Sequence, residues 1–271
     1  MEVDKKKCVG CGNCIPWCTM GVIFIGDDSK ADVNQEECVE CENCYRSLRN
    51  GKRNPGIVRF IRKTLGLFNL QYNPPVDECP TGARTPSELE WPRTLRKVFS
   101  DPTAIHPSTG IGGRGTEEIK TNDVTGRLKD GDIGFVVELG RPGIGAWFKD
   151  IERMAMSLAE IGINFEPKNP VTVLMTDINT GKLRDDILNE KVLSAIIEFK
   201  TTLDKIDDVL QTLEEMKTEV NTVFCVGISA KGAADGSAPY EEIVESLGYA
   251  LSLNGKTNLG LGRSGAKGLN G

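Results

Sequence analysis

The clearest periodicity lies between residues 132 and 250. Ile133–Leu139 is an apolar run of strand length, Ile-Gly-Phe-Val-Val-Glu-Leu. A helix follows over about 147 to 161, where Trp147, Ile151, Met154, Ala155, Leu158 and Ile161 keep a three-four spacing. Val171–Met175 reads as the next strand. The order then returns: a strand over Leu193–Phe199, a helix over 203 to 219 with Leu203, Ile206, Val209, Leu210, Leu213 and Met216 on one face, and a strand over Thr222–Ile228. Pro239 opens a last helix to about Leu247, with Glu241 and Glu242 in its first turn. Phe-Val-Val-Glu-Leu and Ala-Ile-Ile-Glu-Phe each precede a helix and then a strand. Two βαβ units in succession predict an α+β sandwich of the βαββαβ type, one sheet with helices on one face.

The first third of the chain is patterned differently. Gly21–Ile25 and Ala31–Val33 read as short strands of a hairpin. Residues 45–76 contain Arg46, Arg49, Lys52, Arg53, Arg59, Arg62 and Lys63 and no acidic residue. Within them, Gly56 to Phe68 mixes basic and apolar positions at helix-like intervals. Two readings stand side by side: a docking surface for an acidic partner or anionic ligand, or a helix packed on the first part with a solvated basic face. Residues 86–131 carry Pro86, Pro92, Pro102 and Pro107, one short helix near 93 to 99, and a Gly-rich loop, and they read as a connector. Residues 251–271 read as a Gly-rich tail.

Composition narrows the class. About 39% of the 271 residues are hydrophobic, enough for a packed core. The net charge of -6 argues against nucleic-acid binding. No apolar run is long enough to span a membrane, and Met-Glu-Val-Asp-Lys-Lys-Lys-Cys is not a secretory signal. A cytoplasmic, reducing setting is expected. A single histidine, His106, makes His-rich metal sites and a Ser-His-Asp triad improbable; it reads as a loop residue.

Seven of the nine cysteines fall within residues 8 to 44. Cys8, Cys11, Cys14 and Cys18 form C-x2-C-x2-C-x3-C. Cys38, Cys41 and Cys44 repeat the two-residue gaps, and Cys79-Pro80 follows after 34 intervening residues. In a reducing compartment this spacing points to metal rather than disulfides. Three thiolates at two-residue gaps wrap one face of a cubane, and Gly10 and Gly12 let the backbone come close. Zinc sites use two C-x2-C pairs, without a third cysteine at the same gap. Cys225, in the apolar run Thr-Val-Phe-Cys-Val-Gly-Ile, reads as a buried small hydrophobe. Trp17 either screens a metal group from water or packs beside it.

On these motifs, residues 1–85 resemble the bacterial two-[4Fe-4S] (dicluster) ferredoxins, where the fourth cysteine of each run ligates the other cluster. The resemblance implies two [4Fe-4S] clusters, one on Cys8, Cys11, Cys14 and Cys79, the other on Cys38, Cys41, Cys44 and Cys18. The family usually has proline after each distal cysteine. Here Thr19 follows Cys18, whereas Glu-Cys-Pro-Thr-Gly-Ala at residues 78–83 keeps the pattern. The expected architecture is therefore a ferredoxin domain at 1–85 with a basic insertion at 45–76, the connector 86–131, a ferredoxin-like βαββαβ domain at 132–250, and the tail.

Three glycine loops each hold one arginine: Gly110–Gly115 with Arg114, Gly140–Gly145 with Arg141, and Gly260–Gly265 with Arg263. The second lies between a strand and a helix, where backbone N–H groups attract anions. Arg141, Gly143, Gly145 and Arg114 are the candidate anion-binding residues; ordinary Gly-rich turns are the other reading. Thr121–Arg127 is polar enough to line a site. None of the loops has the register of a dinucleotide or P-loop motif. The function that emerges is electron transfer to or from a partner oxidoreductase, within a complex and without a catalytic constellation of its own. On the docking reading of residues 45–76, neutralising Arg59, Arg62 and Lys63 would slow electron delivery. A ferredoxin-fused reductase subunit using the Gly/Arg loops, and a redox-responsive regulatory module, are the alternatives.

Overall fold

The computed structural model describes residues 1–110, 112, 127–141, 143–233 and 237–252. It is an α+β protein, 29% helical and 21% strand.

The first part consists of short elements wrapped around cysteine loops. They are β1 (Glu2–Val3), β2 (Ile23–Ile25), β3 (Ala31–Val33), α1 (Asn43–Arg46), β4 (Arg49–Asn50), α2 (Pro55–Gly66), β5 (Glu78–Cys79) and β6 (Arg84–Thr85). β2 pairs with β3, β1 with β6, and β4 runs parallel to β5. A small core of Met1, Ile23, Ala31, Val33, Leu48 and Ala83 includes buried Cys8, Cys14, Cys44 and Cys79.

After α3 (Thr94–Ser100), the second part contains β7 (Asp132–Leu139), β8 (Ala146–Trp147), α4 (Phe148–Glu160), β9 (Asn164–Phe165), β10 (Met175–Asp177), β11 (Lys182–Leu183), β12 (Lys191–Val192), β13 (Ala195–Thr202), α5 (Ile206–Glu219), β14 (Phe224–Ala230) and α6 (Glu241–Ser246). Four strands make one antiparallel sheet in the order β14-β7-β13-β9. Ile133, Phe135, Val137 and Leu139 alternate onto the face that α4 and α5 cover, and Phe135 stacks on its cross-strand partner Phe199 at 5.3 Å. The opposite face is also shielded at its centre: Val136, Glu138, Ile196 and Glu198 are buried. Burial on both faces explains the nearly continuous apolar runs of β7 and β13.

The sequence pattern misplaced one strand. Residues 171–175 do not join the sheet. The Asn169 side chain accepts the Val171 N–H at 2.8 Å and turns the chain into a 3-10 helix over Thr172–Leu174; Met175–Asp177 then pairs with Lys182–Leu183. The edge strand is instead Asn164–Phe165, paired with Lys200 and Phe199.

The stretch expected to be a connector contains α3, which touches both parts. Leu95 and Phe99 enter the core of the second part, where Phe99 meets Phe148 and His106 edge-on at 5.3 and 5.1 Å. On its other side Arg96, almost fully buried, donates to the carbonyls of Glu36 and Cys38 at 2.5 and 2.8 Å and pairs with Glu190. Lys191 pairs with Glu37, and the Ser100 hydroxyl accepts the Leu193 N–H at 2.9 Å.

Two predictions follow from α3 and its neighbours. Phe99→Ala is expected to lower unfolding free energy by about 3–5 kcal/mol in urea titration, the usual loss for a buried phenylalanine. His106, buried beside Phe99, is held down to about 4 from an ordinary 6.5 because burial disfavours its charged form. Its Nδ1 faces the Ser108 N–H at 3.3 Å, so a protonated ring would oppose donor to donor. Below pH 6.5 the unfolded chain takes up a proton that the folded chain refuses until about pH 4. Stability should therefore be full above pH 6.5 and fall as the pH drops to about 4. His106→Gln should flatten that slope in urea midpoints measured across the same range.

Candidate metal centres

Two cavities open among the cysteine loops. Cys8, Cys11, Cys14 and Cys79 line the first, with about 360 Å³ of space free of protein atoms, mouth included. Cys18, Cys38, Cys41 and Cys44 line the second, with about 330 Å³. Val3, Val9, Ala31 and Ala83 wall one; Met1, Val22, Ile23, Val33 and Val39 wall the other.

The two sites are built by one repeated device, thirty residues apart. Cys8, Cys11, Cys14 and Asn13 correspond to Cys38, Cys41, Cys44 and Asn43. Before each run an Asp or Asn side chain folds the turn: Asp4 Oδ1 accepts the Lys6 N–H at 2.8 Å, and Asn34 Oδ1 accepts the Glu36 N–H at 3.1 Å. Between the cysteines the backbone is left-handed at Gly10 and Gly12, with φ of 65° and 79°, and at their counterparts Glu40 and Glu42, with 54° and 55°. Glycine is required at position 10, because a Cβ there would lie 2.0 Å from the Ser29 carbonyl oxygen. The two glutamates are held by charge. Glu40 pairs with the amino terminus and Arg93; Glu42 pairs with Lys97 at 2.5 Å and Arg46 at 3.5 Å.

The asparagines bring in the distal cysteines. Asn13 Nδ2 donates to the Glu78 carbonyl, just before Cys79, at 2.9 Å. Asn43 Nδ2 donates to the Trp17 carbonyl, just before Cys18, also at 2.9 Å. Each distal sulfur then accepts an N–H four residues on, Val22 to Cys18 and Ala83 to Cys79, both at 3.3 Å, and Ala31 N–H reaches Cys8 Sγ at 3.3 Å. The 34-residue excursion from Cys44 to Cys79 closes on itself: β4 pairs with β5, and Gly51 N–H donates to the Cys79 carbonyl at 2.8 Å. Arg84, almost fully buried, grips the carbonyls of Cys44, Tyr45 and Leu48.

Burial, followed by the charges of the other thiols in the same set, pushes Cys14 and Cys44 up to about 12. Burial first also raises Cys11 and Cys38. Such thiols become thiolates when a cationic metal group supplies the opposite charge. Among the described residues, no group of three or more His, Cys, Asp or Glu side chains is gathered as a single ion needs. The four cysteines of each set line one cavity. The soft, all-sulfur donor set and the enclosing space fit an iron–sulfur cluster.

The remaining candidate residues lie elsewhere. Arg141 Nε pairs with Glu138 at 2.9 Å. Gly143 and Gly145, both left-handed, let their loop lie against the chain after Cys18: added Cβ atoms would meet the Thr19 carbonyl at 3.3 Å and Met20 Cε at 2.9 Å. Arg114, Arg263 and most of their loops lie outside the described residues, as does Thr121–Arg127 except for Arg127, which pairs with Glu198 and Glu166. Cys225 is exposed, not buried, because β14 is an edge strand. Trp17 is half-buried and donates to the Val76 carbonyl at 3.4 Å. Arg59, exposed, and Arg62, half-buried, donate to the Cys8 and Gly10 carbonyls at 3.2 and 3.0 Å. Sequence reasoning missed Asn13, Asn43, Arg84, Arg93 and Arg96. The identical Asn in two C-V-x-C-x-N-C runs was the available signal for the first pair.

The left-handed positions should respond unequally to substitution. Gly10→Ala collides with Ser29 and is expected to lower the melting temperature sharply, whereas Glu42→Gly removes left-handed strain along with ion pairs to partly exposed Arg46 and Lys97 and should cost less. Thermal unfolding of both variants checks the contrast. Compared with known proteins, the chain matches no family model, and no curated protein or solved structure matches it either.

Proposed function

We propose that this protein is an electron carrier, or the electron-transfer subunit of an oxidoreductase complex, holding two [4Fe-4S] clusters. One observation carries the reading: eight cysteines sort into two sets of four, each around its own cavity, and each set takes its distal member from the other run. The strand order of the second part, with α4 and α5 on one face, supports a ferredoxin-like βαββαβ sandwich beside the cluster domain. That plan serves docking as well as ligand binding and does not set the activity.

When bound, each cluster accepts or releases single electrons. The chain's own groups determine what that costs. Thiolates of Cys8, Cys11, Cys14 and Cys79 would hold one cluster, and those of Cys18, Cys38, Cys41 and Cys44 the other. N–H donors aimed at Cys8, Cys18 and Cys79 offset added negative charge and favour the reduced form. Arg59 and Arg62 bring positive charge to the first loop, and Arg96 donates to the Cys38 carbonyl of the second, where Arg93 and Lys97 neutralise Glu40 and Glu42. Apolar walls line both cavities, and Cys8, Cys14, Cys44 and Cys79 are buried from water. The Arg141 loop, closed by Glu138, favours electron transfer over a reductase with an anion site there.

Anaerobic variants test the pairing. Cys79→Ala and Cys11→Ala should erase the same component of the EPR spectrum after dithionite reduction and halve the iron. Cys18→Ala and Cys41→Ala should erase the other component. Full iron in both clusters after Cys79→Ala contradicts the assignment.

A further inference from the structure

The segment inserted between Cys44 and Cys79 turns its apolar side to water. In α2 only Val58 is buried. Ile57, Phe60, Leu67, Phe68 and Leu70 are between 57% and 78% exposed, and Ile61 adds to the strip. The strip runs past the helix end into Leu67, Phe68 and Leu70. The arginines point the other way, with Arg59 and Arg62 spending their N–H groups on the Lys6, Cys8, Gly10 and Tyr72 carbonyls. A helix moored by its cations, with two phenylalanines and several aliphatic side chains facing outward, needs an apolar cover.

Charge identifies that cover. Residues 45–76 contain seven cations and no carboxylate; Arg46, Arg49 and Arg53 pair with carboxylates outside the segment. Lys52 and Lys63 are exposed and, among the described residues, take part in no ion pair. We propose that this strip seats in the plane of an anionic lipid bilayer, its Ile, Phe and Leu side chains at the acyl boundary and Lys52 and Lys63 among the headgroups. High amphipathicity, cations at the polar margin and aromatic plus aliphatic residues on the other side are the features that hold a helix in an interface. Among the described residues no helix is long and apolar enough to cross a membrane, so attachment is to one surface.

Two other covers fit less well. Two-fold pairing with a second copy would press two all-basic segments together. A protein partner's interface interleaves donors and acceptors with its apolar core, whereas the exposed side chains of this strip are hydrocarbon, with Lys52 and Lys63 beside it outside any ion pair among the described residues. The acidity of the remaining chain is screened beyond about 10 Å.

Co-sedimentation of the full-length, cluster-loaded protein with vesicles tests this. Binding is expected to vesicles of phosphatidylcholine mixed with phosphatidylglycerol, to weaken in high salt, and to be absent with phosphatidylcholine alone. Phe60→Ser with Phe68→Ser, and separately Lys52→Gln with Lys63→Gln, should each weaken it roughly tenfold or more. Both double variants should keep their iron and melting temperature, since these side chains are exposed. Protein that stays in the supernatant with both lipid mixtures overturns the proposal and leaves the strip to a protein partner. Equal binding to both mixtures, or binding that neither double variant weakens, overturns it as well.

Discussion

Four thiols facing one small cavity repel one another once ionised, and apolar walls deepen the penalty. Both cysteine cavities impose this on the chain: burial first, and then the charges of the neighbouring thiols, push Cys14 and Cys44 up. Under the proposed function a cationic cluster would remove that penalty, and each loop would reach its working charge state only with its group in place. Much of the first part serves that requirement. Left-handed turns at four positions curl the loops, asparagines pull the distal cysteines into place, and buried Arg84 ties the Cys44 turn to the strand after Cys79.

The second part is joined to this arrangement through α3. Phe99 and Leu95 make the helix part of a large hydrophobic core, while Arg93, Arg96 and Lys97 reach the second cysteine loop. A shift of the sheet and its helices would therefore be felt at Glu40, Glu42 and the Cys38 carbonyl. The glycines at 143 and 145 make a second contact, allowing their loop to close on Thr19 and Met20 beside Cys18. The second cavity is thus the one nearer the second part of the chain. The first is braced by the inserted helix.

The parts legible in the sequence were those written as periodicity or spacing. β7, α4, β13, α5 and β14 carry long apolar patterns. The cysteine gaps, with Glu-Cys-Pro-Thr-Gly-Ala and the ferredoxin resemblance, gave the grouping into fours. What stayed hidden depends on contacts between distant residues. A two-residue edge strand at 164–165 has no periodicity to detect, and an Asn169 side-chain bond, not apolarity, decides the path of 171–175. The mixed pattern of α2 told which positions share a face but not which face turns inward. Carbonyls of the first cysteine loop take Arg59 and Arg62, and the phenylalanines are left outside. Likewise, nothing local marks Arg96 as buried or α3 as a tie between the two parts.

The central claim is that both four-cysteine cavities hold iron–sulfur clusters. The most direct measurement is iron, zinc and acid-labile sulfide per chain on anaerobically purified protein. The account predicts about eight iron and about eight sulfide with negligible zinc. Stoichiometric zinc without sulfide would contradict it and make the cysteines a structural metal site.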